Sequence, residues 1–382
     1  MRLSWIEIRD FRNYHEASLQ VPPGLIVVIG PNAQGKTNLL EAMYYLCTLE
    51  SPRVSSDLPL VRSVTFSPGA GGQPPASLSP GPSSAFLRGE AESSGGRALI
   101  EVEVRGGGQN RVQVNRSPVR RKRDFRRHVR AVFCGPDDLR IVQGEPDDRR
   151  RFIDECVRTL WPAKEGTASA YERALRQRNR LLKDWPGPAA PPGLEGWDAE
   201  LVGHGAALTS VRAGAVAEIA GRASQEFQRL SGQTAEALGV EYRPSVEPAG
   251  TETLEAAFRR RLDERSADEL IRRTTLVGPH RDDLGLRVQG LTARGFASHG
   301  EAWGAALSLR LALGRAVASE LGEDPVVFLD DPFSALDPER RRRLAAGLGG
   351  RGQVLIAIPD ESQLPEETAT VWCVREGQVA AA

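Results

Sequence analysis

The chain has 382 residues, 40% of them hydrophobic, and its 50 Lys and Arg balance 50 Asp and Glu. That length suits one large domain or two ordinary ones, and overall neutrality leaves only local charge clusters to speak about nucleic acid. No apolar run is long enough to span a membrane. The start carries Arg2, Glu7, Arg9 and Asp10 and lacks a signal-peptide core, so a cytoplasmic protein without a membrane helix is expected. Cys47, Cys134, Cys156 and Cys373 lie far apart without C-x-x-C spacing and read as buried thiols in a reducing compartment.

Ile6 and Ile8, then Ala17, Leu19 and Val21, alternate with polar residues and predict strands. Leu25 to Ile29 is unbroken apolar sequence, as a strand buried on both faces requires. Directly after it stands Gly30-Pro31-Asn32-Ala33-Gln34-Gly35-Lys36-Thr37, followed by Asn38 and a helical pattern of Leu39, Leu40, Met43 and Leu46. This is a complete phosphate loop. Its glycines permit a backbone path that side chains would block, and its N–H groups cradle phosphates. Lys36 reaches the β- and γ-phosphates and Thr37 coordinates Mg²⁺. A bound nucleoside triphosphate is the expectation.

Residues 67–96 are rich in Pro, Gly, Ser and Ala and predict a disordered insertion. Ile100, Val102, Val104 and then Val112, Val114, around Gly106-Gly107-Gly108, predict a β-hairpin. Further on, Tyr171, Leu175, Leu182 and Trp185 form a helical stripe interrupted by Arg178. A second stripe, Leu201, Leu208, Ala215, Ile219, Phe227 and Leu230, stops at Gly232. With a Pro/Gly turn at 186–196, two antiparallel helices follow, either a projecting arm or a helical subdomain packed flat.

The α/β pattern resumes after about residue 275. Ser298 and Glu301 match a capping box ahead of the stripe Leu309, Leu313, Ala316, Leu321, and Gly300 leaves that helix start open to a phosphate. Val326 to Leu329 reads as a buried strand ending in Asp330-Asp331. Asp330 is placed to hold Mg²⁺ and Asp331 to polarise a water; solvated turn acids are the plainer alternative. Asp337 and Pro338 start a helix to Leu348, and Val354 to Ile358 is the next strand, a βαβ unit with parallel pairing.

Several segments, in order, resemble the RecF family of ABC/SMC-type DNA-repair ATPases. They are Phe11-Arg12-Asn13-Tyr14, Gly30 to Ala42, Pro136-Asp137-Asp138-Leu139 with Gly144 and Arg149-Arg150, and Gln177-Arg178-Asn179. Gly278-Pro279-His280-Arg281-Asp282-Asp283, Ala297-Ser298-x-Gly300, Leu329-Asp330-Asp331 and Ser334-x-Leu336-Asp337 complete the series. The resemblance implies an α/β fold, an ABC/SMC-like P-loop ATPase head with an inserted α-helical arm. The head would comprise residues 1–140 and 276–382, and the arm 141–275. It implies ATP and Mg²⁺ as cofactors, with Lys36 and Asp331 catalytic and Thr37 and Asp330 at the metal. Ser298 and Gly300 would form a signature motif facing the γ-phosphate of a second subunit. Gln143 would belong to a loop sensing nucleotide and Mg²⁺.

It further implies an ATP-dependent homodimer on single- and double-stranded DNA at gaps or junctions, aiding RecA loading with RecO and RecR and hydrolysing ATP slowly. The sequence departs from the family at Glu301, where Gln is usual, and at Ala302-Trp303, where a basic residue is usual. Ala357-Ile358-Pro359 carries no switch histidine, and the 67–96 segment is unlike the family's compact lobe. An ATP-gated scaffold without appreciable hydrolysis and a transporter-type subunit are the competing readings; the long arm between Lys36 and Ser298 speaks against the transporter. Of four basic clusters, Arg120-Arg121-Lys122-Arg123 is the densest and the DNA candidate; 149–151, 259–261 and 340–343 are the others.

Overall fold

The computed structural model describes residues 1–62, 82–185, 187, 189–232, 237–365 and 370–381. They pack as two compact units, residues 1–138 with 317–382, and residues 139–316. The expected divisions at 140 and 275 therefore move to 138 and 316, and residues 276–316 pack with the helical segment instead of the head.

The first unit opens with β1 (Arg2–Phe11), β2 (Tyr14–Gln20) and β3 (Leu25–Ile29), then α1 (Lys36–Thr48). All five residues of β3 are buried, as its continuous apolar sequence demands. Then come β4 (Ser84–Ser93), β5 (Gly96–Arg105), β6 (Arg111–Val114), β7 (Ser117–Pro118), the short α2 (Lys122–Phe125) and β8 (Ala131–Cys134). The hairpin expected from Ile100 to Val114 is β5–β6, with Ile100 opposite Val114 and Val102 opposite Val112.

The disordered insertion expected at 67–96 is corrected over its second half. Residues 84–93 form β4, hydrogen-bonded between β1 and β5. Ala85, Leu87, Gly89 and Ala91 alternate inward, and three of these four are too small to register as a hydrophobic period. Gly89 has a steric reason: a Cβ there would meet the Trp5 carbonyl at 2.5 Å and Leu46 at 2.7 Å. The first half of that segment, through residue 81, lies outside the described residues.

The second unit holds α3 (Leu139–Gln143), α4 (Pro146–Leu160), α5 (Gly166–Asp184), α6 (Leu194–Ser231), β9 (Leu238–Arg243) and α7 (Leu254–Arg272). β10 (Asp283–Val288), β11 (Leu291–Thr292), α8 (Ala293–Phe296) and α9 (His299–Leu321) follow; α9 runs past residue 316. The two long helices are α5 and α6. All six expected apolar residues of α6 are buried, and the helix ends on left-handed Gly232. Arg178 lies on the buried stripe of α5 and does not interrupt it, whereas Trp185 lies just beyond the helix end. The unit is more than a helical arm, because β11, β10 and β9 form a three-stranded antiparallel sheet.

The chain completes the first unit with β12 (Val326–Asp330), α10 (Pro338–Leu348), β13 (Val354–Ile358), β14 (Thr370–Arg375) and β15 (Gln378–Ala381). Its two six-stranded sheets have the orders β2-β1-β4-β5-β6-β7 and β15-β14-β3-β13-β12-β8. In the second sheet, β8, β12, β13, β3 and β14 pair in parallel, as the βαβ reading required. Helix α1 packs against strands of both sheets, so its residues are buried nearly all round and not on one stripe. Cys47, Cys134 and Cys156 are buried free thiols; Cys373 is half-buried.

Candidate functional site

The phosphate loop joins β3 to α1 at the carboxyl edge of the parallel sheet. Two of its glycines are sterically required. Gly30 has φ 154°, and a Cβ there would lie 2.3 Å from the Val374 carbonyl; Gly35 has φ 116°, and its Cβ would meet Asn13 Nδ2 at 2.5 Å. Ala33 also has a positive φ, 65°. Pro31, Asn32 and Ala33 are exposed at the loop tip, and Lys36 folds back with Nζ donating to the carbonyls of Gly30 at 2.5 Å and Pro31 at 3.0 Å. Burial lowers the Lys36 pKa, opposed by Asp330 and Asp331.

The structure brings together residues that stand far apart in the chain. Thr37 Oγ1 lies 2.9 Å from both carboxylate oxygens of Asp330, at the end of β12. Burial pushes the Asp330 carboxyl up to about 6, with the Thr37 hydrogen bond opposing and the neighbouring Asp331 adding to the rise. Asp331 follows at φ 50°, fixed by its N–H to the Ala357 carbonyl at 3.0 Å. Its Oδ1 is buried without a hydrogen-bond partner, and burial raises its pKa. Asp337 caps α10 through the N–H groups of Glu339 and Arg340, at 3.0 and 2.9 Å.

These donors fit the implied cofactors. Thr37 and Asp330 supply hard oxygens, while no cluster of three or more His, Cys, Asp or Glu side chains is present among the described residues. Such a site suits Mg²⁺, which takes few protein ligands and completes its shell with waters and phosphates. The unpartnered Asp331 oxygen fits a hydrogen-bonding water.

Sequence reasoning missed a layer behind the loop. Glu41 is fully buried on α1 and receives a bidentate ion pair from Arg12, at 2.9 and 2.8 Å. Ser51 and Arg53 also donate to Glu41, and Arg53 binds Asn38 Oδ1 at 2.9 Å. Asn38 in turn donates to Asn13 at 2.7 Å, and the Tyr14 hydroxyl donates to the Gly35 carbonyl at 3.0 Å. A glutamate inside an otherwise apolar helix was the available signal, since a buried charge requires a partner.

Ser298, Gly300 and Gln143 belong to the second unit. Ser298 and Gln143 are exposed, Gln143 at the end of α3. Ser298 and Glu301 form the expected capping box: Ser298 N–H donates to Glu301 Oε2 at 2.8 Å and Glu301 N–H to Ser298 Oγ at 3.3 Å. The carboxylate that replaces the family's Gln is thus turned onto its own helix. Ala302 and Trp303 are buried, as are Leu309, Leu313 and Ala316, while Leu321 is exposed.

Two further motifs are architectural. Arg178, 3% exposed, donates to Asp198 at 2.6 Å and pairs with Glu269 at 2.7 Å, tying α5 to α6 and α7; Asn179 accepts from the Thr275 N–H at 2.7 Å. His280 is held between the Tyr171 hydroxyl and the Thr275 carbonyl, and burial depresses its pKa to about 4. Asp282 receives Tyr242 and the Ser245 N–H, and Asp283 a bidentate Arg149.

Among the basic clusters, Arg120, Arg121, Lys122 and Arg123 are exposed around α2. Lys122 donates to the Leu49 carbonyl at 3.0 Å, and its nearest carboxylate is Glu50 at 3.7 Å. In the other three, acids neutralise most side chains: Arg149 by Asp283, Arg151 by Asp148, Arg260 and Arg261 by Glu264, and Arg343 by Glu339.

Comparison with known proteins agrees with this geometry. The family described as RecF/RecN/SMC N terminal domain matches residues 2–376. A protein of Frankia alni named DNA replication and repair protein RecF is 39% identical, with 99% of each chain covered, and one of the same name from Streptomyces avermitilis is 38% identical with the same coverage. The solved structure of the recombination mediator protein RecF with ATP superposes with a TM-score of 0.86 at 26% identity, covering 100% of this chain and 97% of that one. An Smc head domain from Pyrococcus furiosus shares the fold at a TM-score of 0.54 and 15% identity. With two curated relatives matched end to end and a RecF superposing over its full length, the chain belongs to the RecF family of DNA replication and repair proteins.

Proposed function

We propose that this protein is an ATP-dependent DNA-binding ATPase of recombinational repair that closes head to head around two nucleotides and hydrolyses them slowly. The observation that carries the reading is the Thr37–Asp330 pair beside Lys36, two segments from opposite ends of the chain meeting at one phosphate loop. The loop N–H groups and the Lys36 ammonium bind the phosphates, and Thr37 and Asp330 hold Mg²⁺. The metal supplies neutralisation of charge on the β- and γ-phosphates. Asp331 orients the attacking water and takes up its proton; its short side chain and already buried carboxyl suit slow turnover.

Ser298, on an exposed helix start, contributes in trans to the partner's γ-phosphate. Because Glu301 is engaged in its own cap, it adds little repulsion there. The exposed Arg120–Arg123 cluster supplies DNA phosphate contacts. The relatives' named role in DNA replication and repair and the RecFOR pathway named for the solved RecF support DNA as substrate and RecO and RecR as partners; gapped or junction DNA as the preferred site and RecA loading as the outcome are what the RecF resemblance implies. The cytoplasm is the compartment proposed; among the described residues no helix is long and apolar enough to cross a membrane.

Sedimentation velocity with ATP, ADP or no nucleotide, each with and without gapped duplex DNA, tests the reading. Dimers with ATP alone are expected, and Ser298→Arg should keep ATP binding while losing the dimer. A monomer under all six conditions, or Ser298→Arg dimerising as wild type does, refutes the sandwich.

A further inference from the structure

The phosphate loop is gripped from outside by two turns that no nucleotide contact requires. The β1–β2 turn reaches it with Asn13, whose Nδ2 donates to the Gln34 carbonyl at 3.1 Å. The β14–β15 turn reaches the same residue twice: the Gly377 N–H donates to the Gln34 carbonyl at 3.1 Å and the Glu376 N–H to Gln34 Oε1 at 2.8 Å. The two turns also touch each other. A Cβ on Gly377, at φ 74°, would lie 2.9 Å from the Asn13 carbonyl. Three donors from strands far apart in sequence therefore converge on one loop residue.

Covalent geometry gives this grip a consequence for binding. In a trans peptide the C=O and N–H point in opposite directions, and the described residues contain no cis bond. The Gln34 carbonyl and the Gly35 N–H share one peptide plane, so pulling the carbonyl outward into the two turns aims the Gly35 N–H the other way, into the cradle. On the next plane the Gly35 carbonyl accepts both the first helical bond of α1, from the Leu39 N–H at 2.9 Å, and the Tyr14 hydroxyl at 3.0 Å, and the two together orient the Lys36 N–H. Ala33 just before the grip sits at a positive φ that a free loop would relax.

We infer that the C-terminal β14–β15 turn, acting with Asn13 through Gln34, is a clamp that presets the phosphate loop for nucleotide. Glu376 and Gly377 are positioning residues: they touch the loop from behind and aim its N–H groups. The inference rests on the nucleotide-binding reading above and extends it to a segment remote from every motif. It also makes β15, the edge strand of its sheet, a handle on nucleotide affinity, since displacing the hairpin releases Gln34.

Gly377→Ala tests the clamp in the full-length protein. The added Cβ drives the turn from Asn13 while leaving every proposed catalytic group in place. The expectation is that the Kd for a fluorescent ATP analogue and the KM for ATP each rise about ten-fold, equivalent to about 1.4 kcal/mol, while kcat at saturating ATP stays within about two-fold. Gln34→Met, which keeps size and loses the side-chain acceptor, should likewise weaken binding of the analogue without lowering the melting temperature in the absence of nucleotide. A merely structural role predicts the reverse, lower melting with unchanged KM. Wild-type affinity in both variants overturns the clamp. If the wild-type protein itself binds no ATP, the nucleotide-binding reading has failed, and the clamp with it.

Discussion

Asp330 offers a test in which stability and function move in opposite directions. Its carboxyl is raised to about 6 from the ordinary 3.8, chiefly by burial. Each unit of pKa difference between the folded and unfolded chain is worth about 1.36 kcal/mol, so keeping this group ionised at pH 7.5 opposes folding by about 3 kcal/mol. Asp330→Asn removes the charge and leaves an acceptor for the Thr37 hydroxyl. The variant should therefore be more stable than wild type without metal or nucleotide. At about 2–4 °C per kcal/mol for a unit of this size, its melting temperature should rise by up to roughly 10 °C.

The pH dependence follows from the direction of the shift. A raised folded pKa favours the fold below pH 3.8, where both states are protonated, and the benefit is lost as the pH climbs through 6. The advantage of Asp330→Asn should be near full at pH 7.5, about half at pH 5, and absent below about pH 4. The assay is thermal denaturation of both proteins in EDTA at pH 7.5 and pH 5, repeated at pH 7.5 with Mg²⁺ and ATP. In the last condition wild type should gain and the variant should not. The reasoning is refuted if Asp330→Asn melts no higher than wild type at pH 7.5 in EDTA, or if the gap is the same at both pH values.

Other substitutions probe separate parts of the site. Lys36→Ala removes the ammonium that faces the phosphates and should abolish ATP hydrolysis and ATP-enhanced DNA binding in a folded protein, read by phosphate release and filter binding. Neutralising Arg120, Arg121 and Arg123 together should flatten the plot of log binding constant against log salt by up to about 0.9 per lost phosphate contact on duplex DNA; an unchanged slope assigns the cluster to solvent. Glu41→Ala leaves the half-buried Arg12 guanidinium with only the Pro59 carbonyl as partner and should destabilise by about 2–3 kcal/mol in urea titration, below the cost of a fully stranded buried charge.

The parts of this protein legible in its sequence were those governed by neighbours along the chain. Strand, glycine loop and helix from Leu25 to Leu46 are contiguous, so the positive φ of Gly30 and Gly35 and the apolar run of β3 speak directly, although the Val374 and Asn13 atoms that crowd those glycines come from distant segments. The capping box of Ser298 and Glu301 and the Asp337 cap are equally local, being bonds across two or three residues. The two long helices announced themselves by periodicity and by Gly232. The tertiary structure alone decided where distant segments meet. Nothing near Arg12 names Glu41, nothing near Gln34 names Gly377, and Arg178 read as a fault in a stripe until Asp198 and Glu269 closed round it. β4 was invisible because three of its four inward positions are Ala or Gly, leaving Leu87 alone to mark the apolar face. Local sequence sets backbone preference and which face is apolar. The partners of a buried charge, and the donors that hold a loop taut, come from strands brought alongside by the sheet order, which no local pattern encodes.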